Sequence, residues 1–144
     1  MDINGHNNLV EIYKNSIAII GAGISGLALG IILNKQNIKS VIFEKSSSIS
    51  EYGAGISISK NGQYVLSELE ILDKLKIISG NPQKAVFFSG SKKITSIESN
   101  VVTTSRKSLY DLLLNKYIDT GGEVCFDYEP VSYTHLRAHE TVHY

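Results

Sequence analysis

Short apolar runs alternate with amphipathic segments along most of the chain, and their order is the first structural signal. Ser16–Ile20 (SIAII) is an unbroken apolar run closed by glycine, the pattern of a strand buried on both faces. Ile24–Gln36 then sets Ile24, Leu27, Ala28, Ile31 and Ile32 at helical spacing, with Asn37 placed to cap the end. Lys39–Glu44 (KSVIFE) reads as a second strand. Strand, helix and strand within about 30 residues make a βαβ unit, whose crossover is right-handed.

Further along, the serine-rich loop Ser46–Ser50 leads into a glycine-punctuated stretch, GAGISISKNG, over 53–62. The spacing predicts a helix over Gly62–Lys76 with Val65, Leu69, Leu72 and Leu75 on one face. Lys84–Ser89 and Lys92–Ile97 read as a hairpin turned at Gly90, and Val101–Thr104 as a short strand. Lys107–Thr120 is helical, with Leu109, Leu112, Leu113 and Tyr117 inward and Gly121-Gly122 stopping it. Glu123–Asp127 would be a last strand. Tyr64 and Tyr117 read as helix-face packing, and Cys125 as a small hydrophobe in a buried strand. The fold class expected is α/β. It has a Rossmann-like βαβ start and an incomplete parallel sheet of Ser16–Ile20, Lys39–Glu44 and Glu123–Asp127, with Lys107–Thr120 crossing over.

Composition narrows the function. The 144 residues are 42% hydrophobic, enough for one core and too few for two domains of ordinary size. Fourteen Lys+Arg balance fourteen Asp+Glu, so the basic excess of a nucleic-acid binder is missing. The lone Cys125 cannot form an internal disulfide. Residues 1–15 form a polar leader without the basic start and apolar block of a signal peptide. The longest apolar candidate, Ile17–Leu33, is broken by Gly21, Gly23, Gly26 and Gly30. No membrane span is expected, the location expected is cytoplasmic, and the partner expected is a small-molecule substrate. Composition is silent on oligomeric state.

The candidate chemistry lies in Gly21-Ala22-Gly23-Ile24-Ser25-Gly26, a GxGxxG between strand and helix. Gly21 allows the tight turn, Gly23 lets a pyrophosphate approach the backbone, and Gly26 lets the helix lie close to the sheet. The first amides of the helix, with its dipole, meet the phosphate charge. Glu44 ends the second strand 23 residues after Gly21, near the spacing of about 20 expected for a ribose-binding acid. Its carboxylate accepts hydrogen bonds from ribose hydroxyls and repels a 2′-phosphate, which favours FAD or NAD over NADP. These residues do not by themselves separate FAD from NAD.

From Ser16 to about Pro130 the chain resembles the amino-terminal part of the FAD-dependent aromatic-ring monooxygenases, the p-hydroxybenzoate and salicylate hydroxylase group. Three segments carry the likeness: GAGISGLALGIILNKQNIKSVIFEK from Gly21 to Lys45, GAGISISKN over 53–61, and Arg106 in SRKSLYDLLL. The resemblance implies cofactor contacts from Gly21, Ala22, Gly23, Ile24, Ser25, Gly26, Glu44 and Lys45. It places the Gly53, Gly55 and Ile56 backbone near the flavin and Arg106 at the pyrophosphate. A guanidinium suits that role because it offers several fixed donors. The implied activity is monooxygenation, in which NAD(P)H reduces FAD and O2 supplies the oxygen delivered to an organic, often aromatic, substrate. No catalytic side chain and no metal ligand is assigned. Against the family pattern, Gly30 stands where alanine is usual, Asn37 for glycine, Lys45 for arginine and Lys60 for proline.

The family's later Asp-Gly and Gly-Asp segments lie past the chain's end. The chain is therefore expected to be the first third or so of an enzyme, inactive alone, with the 84–97 hairpin opening a β-rich substrate domain. Another FAD or NAD oxidoreductase with the same βαβ start, or a binding module without turnover, stays open as an alternative. The tail from about residue 131 breaks the pattern. One reverse translation of Val131–Thr141 (VSYTHLRAHET) resembles a transposon-library sequencing adapter read in frame, so 131–144 is expected to be a non-native tail. The zinc-protease-like spacing of His139, Glu140 and His143, with His135 a turn earlier, falls inside it and is read as accidental.

Overall fold

A computed structural model of the chain describes residues 13–48 and 55–128. Gly53, Tyr52, the leader up to residue 12 and the tail with its histidines lie outside the described residues. The chain divides into two units, one of residues 13–48 and 120–128 and one of 55–119.

In the first unit, strand β1 (Ile17–Ile20) is followed by helix α1 (Ile24–Lys35) and strand β2 (Ser40–Phe43). β1 and β2 pair in parallel, with Ile17 opposite Ser40 and Ile20 opposite Phe43. A late strand, Glu123–Cys125, pairs in parallel with β2 on its other edge, giving a three-stranded sheet with β2 in the centre. This is the parallel sheet that the apolar runs implied, but β1 is not buried on both faces as expected: it is an edge strand, with Ile19 buried and Ile17 and Ile20 exposed. After Lys35 and the cap residue Gln36, Asn37 turns left-handed at φ 60°, and Ile38 N–H reaches back to Leu33 O at 2.9 Å. That is a Schellman ending with asparagine in the usual glycine place.

Two sides of β2 have different cover. Ile42 is fully buried, as are Leu27 and Ile31 of α1, each contributing about 1.5–3 kcal/mol relative to exposure. Ser40 is also buried, and its hydroxyl and amide both reach Asn34 Oδ1, at 2.9 and 3.2 Å. Asn34 Nδ2 in turn lies 3.4 Å from Thr120 Oγ1. Phe43 instead meets two tyrosine rings, Tyr13 edge-on at 5.8 Å and Tyr128 tilted at 5.6 Å. Tyr13 Oη donates to Glu123 Oε1 at 2.8 Å and lies 3.4 Å from Cys125 Sγ. These contacts, the thiol's first and the carboxylate's second, push the phenol's pKa upward. Cys125 is thus partly buried with a polar neighbour, a less dry setting than its sequence context suggested.

In the second unit, β3 (Gly55–Ile58) leads to α2 (Lys60–Glu68) and α3 (Leu72–Ile77). A hairpin of β4 (Lys84–Ser89) and β5 (Lys92–Glu98) follows, then β6 (Val102–Ser105) and α4 (Arg106–Asp119); the late strand above is β7. The single helix expected over Gly62–Lys76 is two. Glu70 turns left-handed at φ 61°, Ile71 N–H bonds to Leu66 O, and the axis restarts at Leu72. The break shifts the buried stripe to Leu66, Leu69, Ile71 and Leu75. Val65 and Tyr64, expected inward, are exposed. α4 buries Leu109, Leu113 and Tyr117 as expected, with Tyr110 added, whereas Leu112, also expected inward, is only half-buried.

Candidate functional site

The glycine turn begins where β1 ends. Gly21 N–H closes the ladder on Phe43 O at 2.8 Å, and the backbone then turns through φ +96°, a value costly for any residue with a Cβ. Gly26 is fixed by contact. A Cβ placed there would lie 2.1 Å from Gly21 O, so this helix can approach the turn only with hydrogen at that position. Gly23 differs from both, since a Cβ on it would meet nothing within 4 Å. Its missing side chain leaves space in front of the helix start rather than relieving a contact.

Gly23 is the N-cap of α1, and its carbonyl accepts Leu27 N–H at 3.0 Å. The amides of Ile24, Ser25 and Gly26 belong to the first turn, where an α-helix offers them no intrahelical acceptor. No acidic side chain stands in that turn. Open space, outward amides and the positive end of the helix dipole together suit a diphosphate.

Glu44 completes the arrangement. Its Oε2 accepts Ala22 N–H at 2.8 Å and its Oε1 accepts Ser46 N–H at 2.9 Å. Burial alone would raise its carboxyl pKa. The Ser46 and Ala22 amides, the Ser46 side chain and the neighbouring Lys45 charge outweigh that and hold it below the ordinary value of 4.5. The acid is therefore ionised at neutral pH and lies against the turn, as the 23-residue spacing implied. Ala22 is fully buried and its amide is engaged with Glu44, which sets it behind the turn.

The acid's backbone is held from the far end of the sequence. Glu44 N–H donates to Cys125 O at 2.9 Å, and Glu44 O accepts Tyr128 N–H at 2.9 Å. No local pattern could have announced this. Ser46 was likewise missed, being one serine in a serine-rich loop.

Gly55, Ile56 and Arg106 come together in the second unit. β3 and β6 pair antiparallel, with Gly55 opposite Ser105 and Ile56 opposite Thr104, and Arg106 follows directly as the first residue of α4. Ser105 caps that helix: its Oγ accepts Ser108 N–H at 2.9 Å and lies 2.7 Å from Ser108 Oγ. The spacing Ser105-Arg106-Lys107-Ser108 is a legible cap signal that places the helix start at 106 rather than 107. Arg106 is exposed at the first turn of this helix. Among the described residues there is no group of His, Cys, Asp and Glu fit to hold a metal. A polar cavity of about 530 Å³ borders Tyr13, Ser16, Asn34, Ser40, Thr120 and Glu123, and no glycine of the turn lines it.

Comparisons with known proteins agree with this geometry. A family described as an NAD(P)-binding Rossmann-like domain matches residues 19–69. Monooxygenase 1 of Arabidopsis thaliana is 37% identical over 92 residues, which is 62% of this chain and 23% of that protein. 3-Hydroxybenzoate 6-hydroxylase 1 of Aquipseudomonas alcaligenes is 32% identical over 85 residues, 58% of this chain and 22% of its own length. Other relatives bear the name FAD-dependent monooxygenase. Among solved structures, the tetrameric form of 2-methyl-3-hydroxypyridine-5-carboxylic acid oxygenase superposes with a TM-score of 0.74 at 28% identity. It covers 82% of this chain and 33% of its own. The chain spans between 9 and 23% of the length of these curated relatives. No helix among the described residues is long and apolar enough to cross a membrane. The chain thus carries a Rossmann-like dinucleotide-binding fold whose relatives, in sequence and in structure, are FAD-dependent aromatic monooxygenases.

Proposed function

We propose that this chain is the FAD-binding part of a monooxygenase that consumes NAD(P)H and O2 to hydroxylate a small organic, aromatic molecule. The observation that carries the cofactor reading is the Glu44 carboxylate, 2.8 Å from the amide of Ala22 inside the glycine turn. In this reading the amides of Gly23, Ile24, Ser25 and Gly26 hold the diphosphate. The free lone pairs of Glu44 accept the ribose hydroxyls, and Lys45 lies beside the acid. Arg106 adds guanidinium donors at the diphosphate, and the Gly53, Gly55 and Ile56 backbone passes close to the flavin ring. Bound FAD supplies the redox chemistry, and the chain supplies binding and orientation.

The test is direct titration. The purified chain should bind FAD and ADP saturably, and an ADP analogue carrying a 2′-phosphate at least about tenfold more weakly, because the fixed carboxylate faces that group. Absence of binding, or equal affinity for the phosphorylated analogue, overturns the reading. With FAD and NADPH added, the chain alone should consume no nicotinamide.

A further inference from the structure

Both oxygens of Glu44 already have backbone partners, Ala22 N–H on one and Ser46 N–H on the other. These partners lie just past the last rung of the β1–β2 ladder, Gly21 N–H to Phe43 O: Ala22 is one residue beyond it in the turn, and Ser46 three residues beyond it in the loop leaving β2. The acid's own backbone is pinned at Cys125 O and Tyr128 N–H, so it is a fixed post rather than a mobile side chain.

We propose that Glu44 is a positioning residue for the glycine turn itself, a latch that ties Ala22 to the β2 exit and shapes the phosphate cradle before any nucleotide arrives. This goes beyond its ribose contact, although its value to the cofactor rests on the dinucleotide reading above. Ala22 is fully buried, so its amide has no ready exchange of this acceptor for water. Each carboxylate oxygen retains a second lone pair, and the latch therefore does not compete with sugar binding. A glutamine of the same shape cannot replace it. Glutamine presents one acceptor and one donor, so one of the two N–H groups would face another N–H.

The two roles separate by ligand. Glu44→Gln should weaken inorganic pyrophosphate, which has no sugar, by at least about fivefold, and ADP by at least as much. A pure ribose contact predicts loss for ADP and none for pyrophosphate, and that result overturns the latch. Hydrogen exchange on the wild-type chain needs neither variant nor ligand. The Ala22 and Ser46 amides should exchange at least about tenfold more slowly than those of Ile24 and Ser25. An unprotected Ala22 amide would likewise end the proposal, should the variant fail to fold. If wild type binds neither ADP nor pyrophosphate while Ala22 stays protected, the latch stands and the cofactor reading falls.

Discussion

The βαβ unit and the β4–β5 hairpin are both rich in β-branched and aromatic residues, yet only the first encloses a core. In residues 17–43, Leu27, Ile31 and Ile42 are fully buried, while Ile17, Ile20, Leu29 and Ile32 on the uncovered sides are 44–47% exposed. In the hairpin, Phe87, Phe88, Ile94 and Ile97 are 49, 60, 64 and 55% exposed. The difference follows from geometry. A helix returning across two parallel strands covers its own sheet, whereas a two-stranded ribbon has two faces and no layer to lay on either. Apolar content therefore marks where a chain can be buried, and the layer supplied by neighbouring elements decides whether it is.

The largest effect should come from the two glycines of one turn. Gly26→Ala drives a Cβ into Gly21 O and should cost about 3 kcal/mol or more, abolishing nucleotide binding along with much of the thermal stability. Gly23→Ala enters open space and should leave the melting temperature nearly unchanged while weakening ADP binding. Equal melting losses in the two variants would show that Gly23 is structural too.

Next in size is a pair that crosses the two regions. Leu27→Ala should lose about 2–5 kcal/mol by chemical denaturation, since its side chain is fully enclosed. Phe88→Ser should change stability by no more than about 0.5 kcal/mol and should reduce self-association seen by light scattering. A large loss at Phe88 would mean the hairpin has a covering layer after all.

A smaller, pH-dependent effect belongs to Glu44. Its folded pKa is depressed, so its contribution is complete above the ordinary value of 4.5 and is lost as pH falls through the depressed one. Thermal melts taken from neutral pH down to about pH 3 should show a decline in wild type that is shallower in Glu44→Gln. Identical slopes would remove the carboxylate from the stability balance. The smallest effect is expected at Glu70, left-handed between α2 and α3 with Lys116 Nζ at 2.8 Å. Glu70→Gly relieves the backbone but gives up an ion pair exposed on the Glu70 side (61%) and largely covered on the Lys116 side (22%), for a net change within about 0.5–1 kcal/mol in denaturant melts.

Much of the first unit was legible from local pattern. The run SIAII, the helical spacing from Ile24, the Asn37 cap and the acid at 44 all depend on neighbours within a few turns, and these elements stand where the spacing put them; the exposure of Ile17, Ile20 and Ile32 was not legible, because it depends on which face a neighbouring layer covers. The helix break at Glu70 was not legible, because no glycine, proline or asparagine marks it. It exists to let Leu66, Leu69, Ile71 and Leu75 share one buried side. β3 was read only as a glycine-punctuated stretch, since a four-residue strand shows itself chiefly through its partner, and Val102–Ser105 lies some 45 residues on.

The amino-acid order alone determined most of the elements that form and where the glycine turn and the acid after β2 fall, because those depend on side-chain period and short-range sterics. Tertiary structure decided that β7 closes on β2 and grips Glu44, that the acid's oxygens accept the Ala22 and Ser46 amides, and that Gly55 is set opposite Ser105. The first and last are hydrogen bonds between backbone groups far apart in the chain, and the second ends on backbone amides as well. Every residue carries such groups alike, so nothing in a side-chain pattern can name their partners.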